Sequence, residues 1–279
     1  MAEDSPGTEI LHLALDFPPV STADWEAAIA KDLKGADYEK KLVWRTDEGI
    51  AVRPYYRREH VGVDHPSAPR AVWEEAQDWA PPADAIRADH LHEAGATSVQ
   101  ELGYAAAQAT EMRANEPVFV FAVGSNYFFE IAKFRAARVL WASLGTGATL
   151  HIHARTARAN KSVFDPYTNL LRVTTEAMSA VIGGCDSLDV EAFGFDPHLA
   201  LNVQRILREE AHLGKVSDPA SGSYYVETLT TSLVREATKV FEQVQADGGW
   251  RKALESGNVE KALTASRGAK AKAIASRRR

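Results

Sequence analysis

A chain of 279 residues with 45% hydrophobic and 25% charged side chains is long enough for a sizeable core and is composed like an ordinary soluble globular protein, in one large domain or two small ones. A net charge of −6 gives no support to nucleic-acid binding, and a single cysteine, Cys185, excludes an internal disulfide and fits a reducing compartment. The acidic start MAEDSPGTEILHLAL is unlike a secretory leader and no apolar run reaches membrane-spanning length, so a cytoplasmic location away from membranes is expected.

Residues 1–80 carry little repeated pattern and read as an extended N-terminal arm. In FPPVSTADWEAAIAKDL a turn leads into a helix that Ser21 or Thr22 can cap, with Glu26 placed to close a capping box. KLVWRTDEGIAVRPYYRRE reads as two short strands around Asp47-Glu48-Gly49, a hairpin. DHPSAPRAVWEEAQDWAPP is broken by prolines and reads as irregular with a short helix.

From residue 81 onward strands and helices alternate. AIRAD, PVFVFAV, TLHIHA and SLDVEAF read as strands. They are followed in turn by the helices SVQELGYAAAQATEMRA, YFFEIAKFRAARVLWASL, PYTNLLRVTTEAMSAVIGG and PHLALNVQRILREEAHL, and then by YYVETLTTSLVREATKVFEQVQAD. That alternation implies a parallel sheet built from about four βα units. A complete eight-unit barrel takes about 250 residues, more than residues 81–279 supply. The fold class is therefore α/β, a partial (β/α)8 TIM-type barrel preceded by the arm. Such a sheet has two open edges that need covering or pairing. After Glu260 come seven Lys or Arg and no acid, which reads as a basic helical C-terminal tail.

Several groups invite a chemical reading. His151 and His153 stand two apart at a strand end, and period-two geometry puts His151, His153 and Arg155 on one face. Two imidazoles there suggest a metal site or a catalytic pocket. Arg155 beside them disfavours a dication, and a three-ligand set also needs Asp89, His90, His92 or Glu191. Gly145-Thr146-Gly147 follows a helix and reads as its stop. Ser223 is placed to cap the last long helix. Glu130, Lys133 and Arg138 share one helix at pairing distance and read as a solvated face or a subunit contact.

Long segments also carry a resemblance. DFPPVSTADWEAAIAKDLKGADYEKKLVWRTDEGIAVRPYYRRE resembles the N-terminal arm of the methylmalonyl-CoA mutase family, and in particular of the small, non-catalytic subunit of its bacterial heterodimers. HLHEAGATSVQELGYAAA, VGSNYFFEIAKFRAARVLWA, FDPYTNLLRVTTEAMSAVIGG and DPASGSYYVETLT resemble successive segments of that family's substrate-binding barrel. The resemblance covers most of the chain but only the second half of the barrel. The Tyr- and Arg-rich segments that open the family's barrel are not found between Arg58 and Ala85. The family's cobalamin domain, with its Asp-x-His-x-x-Gly motif, is not recognised either. Asp89-His90-Leu91-His92-Glu93-Ala94-Gly95 imitates that motif with one residue too many between Asp and His.

By this resemblance His90 matches an active-site histidine that hydrogen-bonds the substrate thioester, with Asp89 where the family has tyrosine. The plainer reading of His90 is a structural histidine at a strand end. Glu116, Pro117 and Val118 stand where catalytic relatives have Arg-Leu-Ser against coenzyme A, and a carboxylate at Glu116 repels acyl-CoA phosphates. His151, His153 and Arg155 fall in a segment that reads Arg-Thr-His-Ser-Gln-Thr-Ser in catalytic relatives. His153 keeps the family histidine, while His151 replaces the arginine and Arg155 the glutamine. His90 and His153 are thus remnant catalytic candidates. His90, Asn126, His151, His153 and Arg155 are the substrate-binding candidates, and no metal site is assigned.

The resemblance implies a small-subunit-like partner of an adenosylcobalamin-dependent mutase that interconverts (R)-methylmalonyl-CoA and succinyl-CoA. This chain would be inactive alone, would hold no cofactor itself, and would pair with a large catalytic subunit. Two other readings stand beside it. One is an acyl-CoA-binding enzyme that completes its barrel by homodimerisation. The other is a small metal-dependent hydrolase built on the His-x-His pairs.

Overall fold

The computed structural model describes residues 19–62, 73–76 and 79–276. The expectations for the N-terminal leader region and for most of the proline-broken segment lie outside those residues. The chain divides into two compact units, residues 1–44 and 45–279.

In the first unit, helix α1 (Thr22–Asp32) starts at Ser21, whose Oγ accepts from the Asp24 amide at 3.1 Å. Asp24, rather than Glu26, holds the third helical position, so the capping box expected through Glu26 does not form. Helix α2 (Tyr38–Leu42) is capped by Asp37, which accepts from the Lys40 amide at 2.8 Å.

The unit boundary falls within the expected hairpin, strands β1 (Trp44–Arg45) and β2 (Ala51–Val52). The Thr46 hydroxyl accepts from the amides of Glu48 and Ile50, both at 3.2 Å, and holds the turn closed.

The body of the second unit is a five-stranded sheet whose described ladders are all parallel. Its strands are β3 (Glu74–Ala76), β4 (Ile86–Arg87), β5 (Val118–Val123), β6 (His151–Thr156) and β7 (Ser187–Asp189), in the order β3-β7-β6-β5-β4. This is α/β architecture consistent with a partial TIM-type barrel, and the sheet does not close among the described residues. It departs from expectation at β3. Glu74-Glu75-Ala76 is not irregular or helical but joins the far edge of the sheet beside β7. Two acids and an alanine carry no strand signal of their own. The ladder to β7, from Glu74 with Ser187 to Ala76 with Asp189, makes the strand. Consecutive strands β3 and β4 therefore occupy opposite edges, joined by the short link of residues 77–85.

The AIRAD strand is also shorter than expected. It ends at Arg87, and Asp89 and His90 belong to helix α3 (Ala88–Glu93). Helix α4 (Ser98–Met112) then starts from a capping box in which Thr97 and Gln100 satisfy each other's backbone amides. Helix α5 (Tyr127–Ser143) follows β5. Helix α6 (Pro166–Gly183) has Asp165 as its N-cap and ends at Gly184, whose φ of +100° suits a residue without Cβ. Helix α7 (Pro197–Arg205) runs into a wider π-type turn, residues 206–210.

Helix α8 (Tyr224–Ala246) buries Val226, Leu229, Leu233, Ala237 and Val244, at spacings of three, four, four and seven residues, and packs on α4 and α5. Each fully buried leucine there stabilises by about 1.5–3 kcal/mol. Ser223 precedes α8, but its side chain makes no capping bond, contrary to expectation. Its carbonyl accepts from the Glu227 amide instead. The tail forms helices α9 (Trp250–Glu255) and α10 (Asn258–Ala275). Among the described residues no helix is long and apolar enough to cross a membrane.

The sheet's two faces are sorted by register. On the outer face Phe119, Phe121, Ile152, Ala154 and Leu188 join the helices in one hydrophobic core. On the inner face the partners run Arg87, Val120, His153, Ser187 and, one layer further along, Ala122, Arg155, Asp189. The inner face thus carries the polar chemistry.

Candidate functional site at the strand ends

The period-two reading of β6 holds in its consequences. His151 and His153 meet Ser187, and Arg155 meets Asp189, on the inner face of β7. The Ser187 hydroxyl lies 2.8 Å from His153 Nδ1 and 3.1 Å from His151 Nε2. A hydroxyl carries one proton. With two lone pairs besides, it accepts from both rings, or donates to one and accepts from the other. Ser187 therefore ties the two histidines together across the β6–β7 pair.

His153 is fully buried. Burial, and then the positive charges of Arg155, His151 and Arg87, push its pKa down to about 3, so the ring is neutral throughout the physiological range. The Trp79 indole stacks on it, with ring centroids 3.6 Å apart and planes inclined by 18°.

The next layer is ionic. Arg87 grips Asp89 through two bonds of 2.8 and 2.5 Å. Arg155 lies between two carboxylates, 3.4 Å from Asp189 and 3.8 Å from Asp89. Above it Arg158 pairs with Glu191 and its amide donates to Glu93 at 3.0 Å. Arg87, Arg155 and Arg158 with Asp89, Glu93, Glu191 and His90 line a cleft of about 150 Å³ at the C-terminal strand ends, the end where barrels of this type place their sites. Three guanidiniums face three carboxylates, so the cleft has no surplus of charge for a polyanion.

The predicted residues are thus only partly brought together. His151, His153 and Arg155 are adjacent. His90 is exposed at the rim of the cleft, on α3 rather than behind a strand. Asn126 is exposed at the N-terminus of α5, does not line the cleft, and makes no side-chain cap. Glu116 is exposed ahead of β5, at the opposite end of that strand from the cleft.

His92 turns to Glu101 at 2.8 Å, away from the two β6 histidines, and Glu191 is taken by Arg158. Among the described residues no group of three or more His, Cys, Asp or Glu side chains is arranged to hold a metal ion. The Glu130, Lys133 and Arg138 set is not a solvated face. Lys133 is fully buried and pairs with Glu130 and Glu101, while Arg138 bonds Asp186 and two backbone carbonyls. Trp79, Ser187 and Asp189 were not foreseen. Only the alternation of SLDVEAF, which puts Ser187 and Asp189 on one strand face, could have suggested two of them.

The methylmalonyl-CoA mutase family profile matches residues 82–279. The chain belongs to this family. It is 31% identical to the methylmalonyl-CoA mutase small subunit of Porphyromonas gingivalis, an alignment that covers 94% of this chain and 69% of that protein. It is 39% identical to the methylmalonyl-CoA mutase of Rhizobium meliloti over 60% of this chain and 28% of the relative. It is 36% identical to the large subunit of the Porphyromonas gingivalis mutase, again over 60% of this chain and 28% of the relative. The chain thus spans under a third of the length of the last two relatives. The small-subunit alignment runs over 425 residues against 279 here, so part of that relative faces a gap within the alignment. The profile begins close to residue 81, where the arm was expected to end. The compact units divide earlier, after Trp44.

The family implies adenosylcobalamin, and the inner face does not fit it. Small-molecule sites occupy roughly 300–1,000 Å³, and a corrin is a large ligand by that measure. The cleft offers about 150 Å³, and Arg155 and Arg158 spend their donors on carboxylates. The imitation of the cobalt-binding motif is likewise committed, Asp89 to Arg87 and His92 to Glu101.

Proposed function

We propose that this chain is a small-subunit-like structural partner of a large, adenosylcobalamin-dependent mutase subunit, and that it turns over no substrate by itself. The observation that carries the reading is the filled inner face. Where a barrel enzyme keeps space for its substrate, this sheet has Trp79 stacked on a buried, neutral His153 beneath a ladder of paired arginines and carboxylates. The similarity to a mutase small subunit over 94% of the chain supports the same role. In this reading residues 1–80 form the arm that reaches the large subunit, residues 81–279 the partial barrel that packs on it, and the complex works in the cytoplasm. A single, buried cysteine outside any disulfide, Cys185, suits that compartment. His90 and His153 are then inherited positions rather than catalysts.

The test is co-expression with a large mutase subunit. The expected result is co-elution as a stoichiometric complex, with interconversion of methylmalonyl-CoA and succinyl-CoA only when the large subunit and adenosylcobalamin are present. A chain that elutes alone beside a folded large subunit overturns the partnership. Turnover by the chain alone overturns its inactivity.

A further inference from the structure

We propose that the concave face of the sheet carries a stacking slot for one planar aromatic ring, filled in this chain by its own Trp79. Three observations converge. The ring contact is face to face, 3.6 Å between centroids and 18° between planes, closer than the roughly 4.5–7 Å usual for offset or edge-on aromatic pairs. The floor of the slot is a fully buried imidazole whose Nε2 has no hydrogen-bond partner among the described residues. A buried polar atom left so is costly, so this imidazole is a strained floor and not a satisfied part of the core. Finally, Trp79 belongs neither to a strand nor to a helix. It lies in the chain between β3 and β4, which occupy opposite edges of the sheet. Its ring meets His153 on the inner face.

The class of ligand follows from the floor. A neutral imidazole attracts a flat, uncharged ring of indole size, and the arginines around it are already paired. The tether explains why such a ligand does not simply enter. A side chain on a short link acts at an effective concentration in the millimolar range, so a free ring of similar affinity present at well below about 1 mM is outcompeted. The slot opens when Trp79 is removed.

Diethyl pyrocarbonate tests this on the full chain. It transfers an ethoxycarbonyl group to an unprotonated imidazole nitrogen with release of ethanol and carbon dioxide, and mass spectrometry of the peptides locates each product. In the unmodified sequence the exposed His90 should react at least about tenfold faster than His153, which becomes reachable only by local opening. In Trp79→Gly the His153 rate should rise towards that of His90. Millimolar indole should then restore protection and raise the melting temperature of the variant, while cyclohexanol should do neither. Equal reactivity of His153 and His90 in the unmodified chain overturns the proposal, as does an absence of indole protection in Trp79→Gly. If that variant does not fold, Trp79→Phe and Trp79→Leu decide. Phe should keep His153 protected and Leu should not, and equal protection by both removes the aromatic slot. None of these outcomes bears on the subunit role, which is read by co-elution.

Discussion

Lys133 on α5 and Glu101 on α4, 32 positions apart, meet with Nζ and Oε2 at 3.2 Å where neither side chain is more than 1% exposed. The ammonium also reaches Glu130 at 2.7 Å and the Ala122 carbonyl at 2.7 Å, and Glu101 holds His92 at 2.8 Å. Burial alone would lower the Lys133 pKa, but Glu101 and Glu130 outweigh it and raise it. Burial alone would raise the Glu101 pKa, but Lys133 and His92 outweigh it and lower it. Both groups stay charged. The cluster ties α3, α4, α5 and the end of β5 together.

Removing one partner leaves the others buried without compensation, so Lys133→Met should cost about 3–5 kcal/mol in urea unfolding. Combining it with Glu101→Gln should cost less than the sum of the two single changes, because the second change removes a charge already stranded. Simple additivity would mean that the two groups are not coupled.

The His153 ring predicts an acid-sensitive fold. Its pKa of about 3 in the folded chain lies below the ordinary 6.5, so the unfolded chain binds the proton more readily. Stability is full above 6.5 and falls as the pH drops from there towards 3. Between pH 7 and pH 5 the loss from this one group is about 2 kcal/mol. Urea midpoints at the two pH values, compared with those of His153→Gln, isolate the effect. If the variant loses as much as the parent, the acid sensitivity lies elsewhere.

At Gly103 on α4 the neighbouring α8 comes too close for a side chain. A Cβ there would lie 2.7 Å from the Val240 Cβ and 2.9 Å from the Ala237 carbonyl oxygen. Gly103→Ala gains about 1 kcal/mol of helix propensity but forces the helices apart, for a net loss of about 1–3 kcal/mol. Val240→Ala should not rescue it, since the Cβ and the carbonyl remain. A stabilised Gly103→Ala in thermal unfolding would contradict the close packing.

Arg135 binds the loop that precedes α8. Its guanidinium pairs with Asp218 and with Glu227, the latter at 2.6 Å, and Glu227 also accepts from the Gly222 amide at 3.1 Å. Arg135→Lys keeps the charge but loses the fork that spans two carboxylates. Cleavage between residues 212 and 223 by a broad-specificity protease should become several-fold faster while the helical circular dichroism is retained. Unchanged cleavage would show that the loop is held by other contacts.

Much of this fold is legible in the residues because its signals are local. The apolar spacing of residues 98–112, 127–143, 166–183 and 224–246 marks the helices, and Asp165-Pro166 and Asp196-Pro197 mark two helix starts. Strand β3 is illegible because Glu-Glu-Ala has no strand character until β7 pairs with it. Site chemistry divides the same way. The shared face of His151, His153 and Arg155 follows from alternation along one strand. Asp89, Ser187, Asp189 and Trp79 reach that face from other strands, a helix and a link, and only tertiary structure brings them there. Lys133 and Glu130 misled for the same reason, since their spacing fits either a wet surface or a buried cluster fed by Glu101 from the neighbouring helix.

The link between β3 and β4 also makes the sheet modular. Two strands consecutive in the chain lie at opposite edges, so the order of the sheet breaks once. βα units added between β3 and β4 would extend the two edges without reversing or re-pairing any of the described strands. That position is therefore a port, and grafting further units into it is the direct route from this open sheet to a closed barrel.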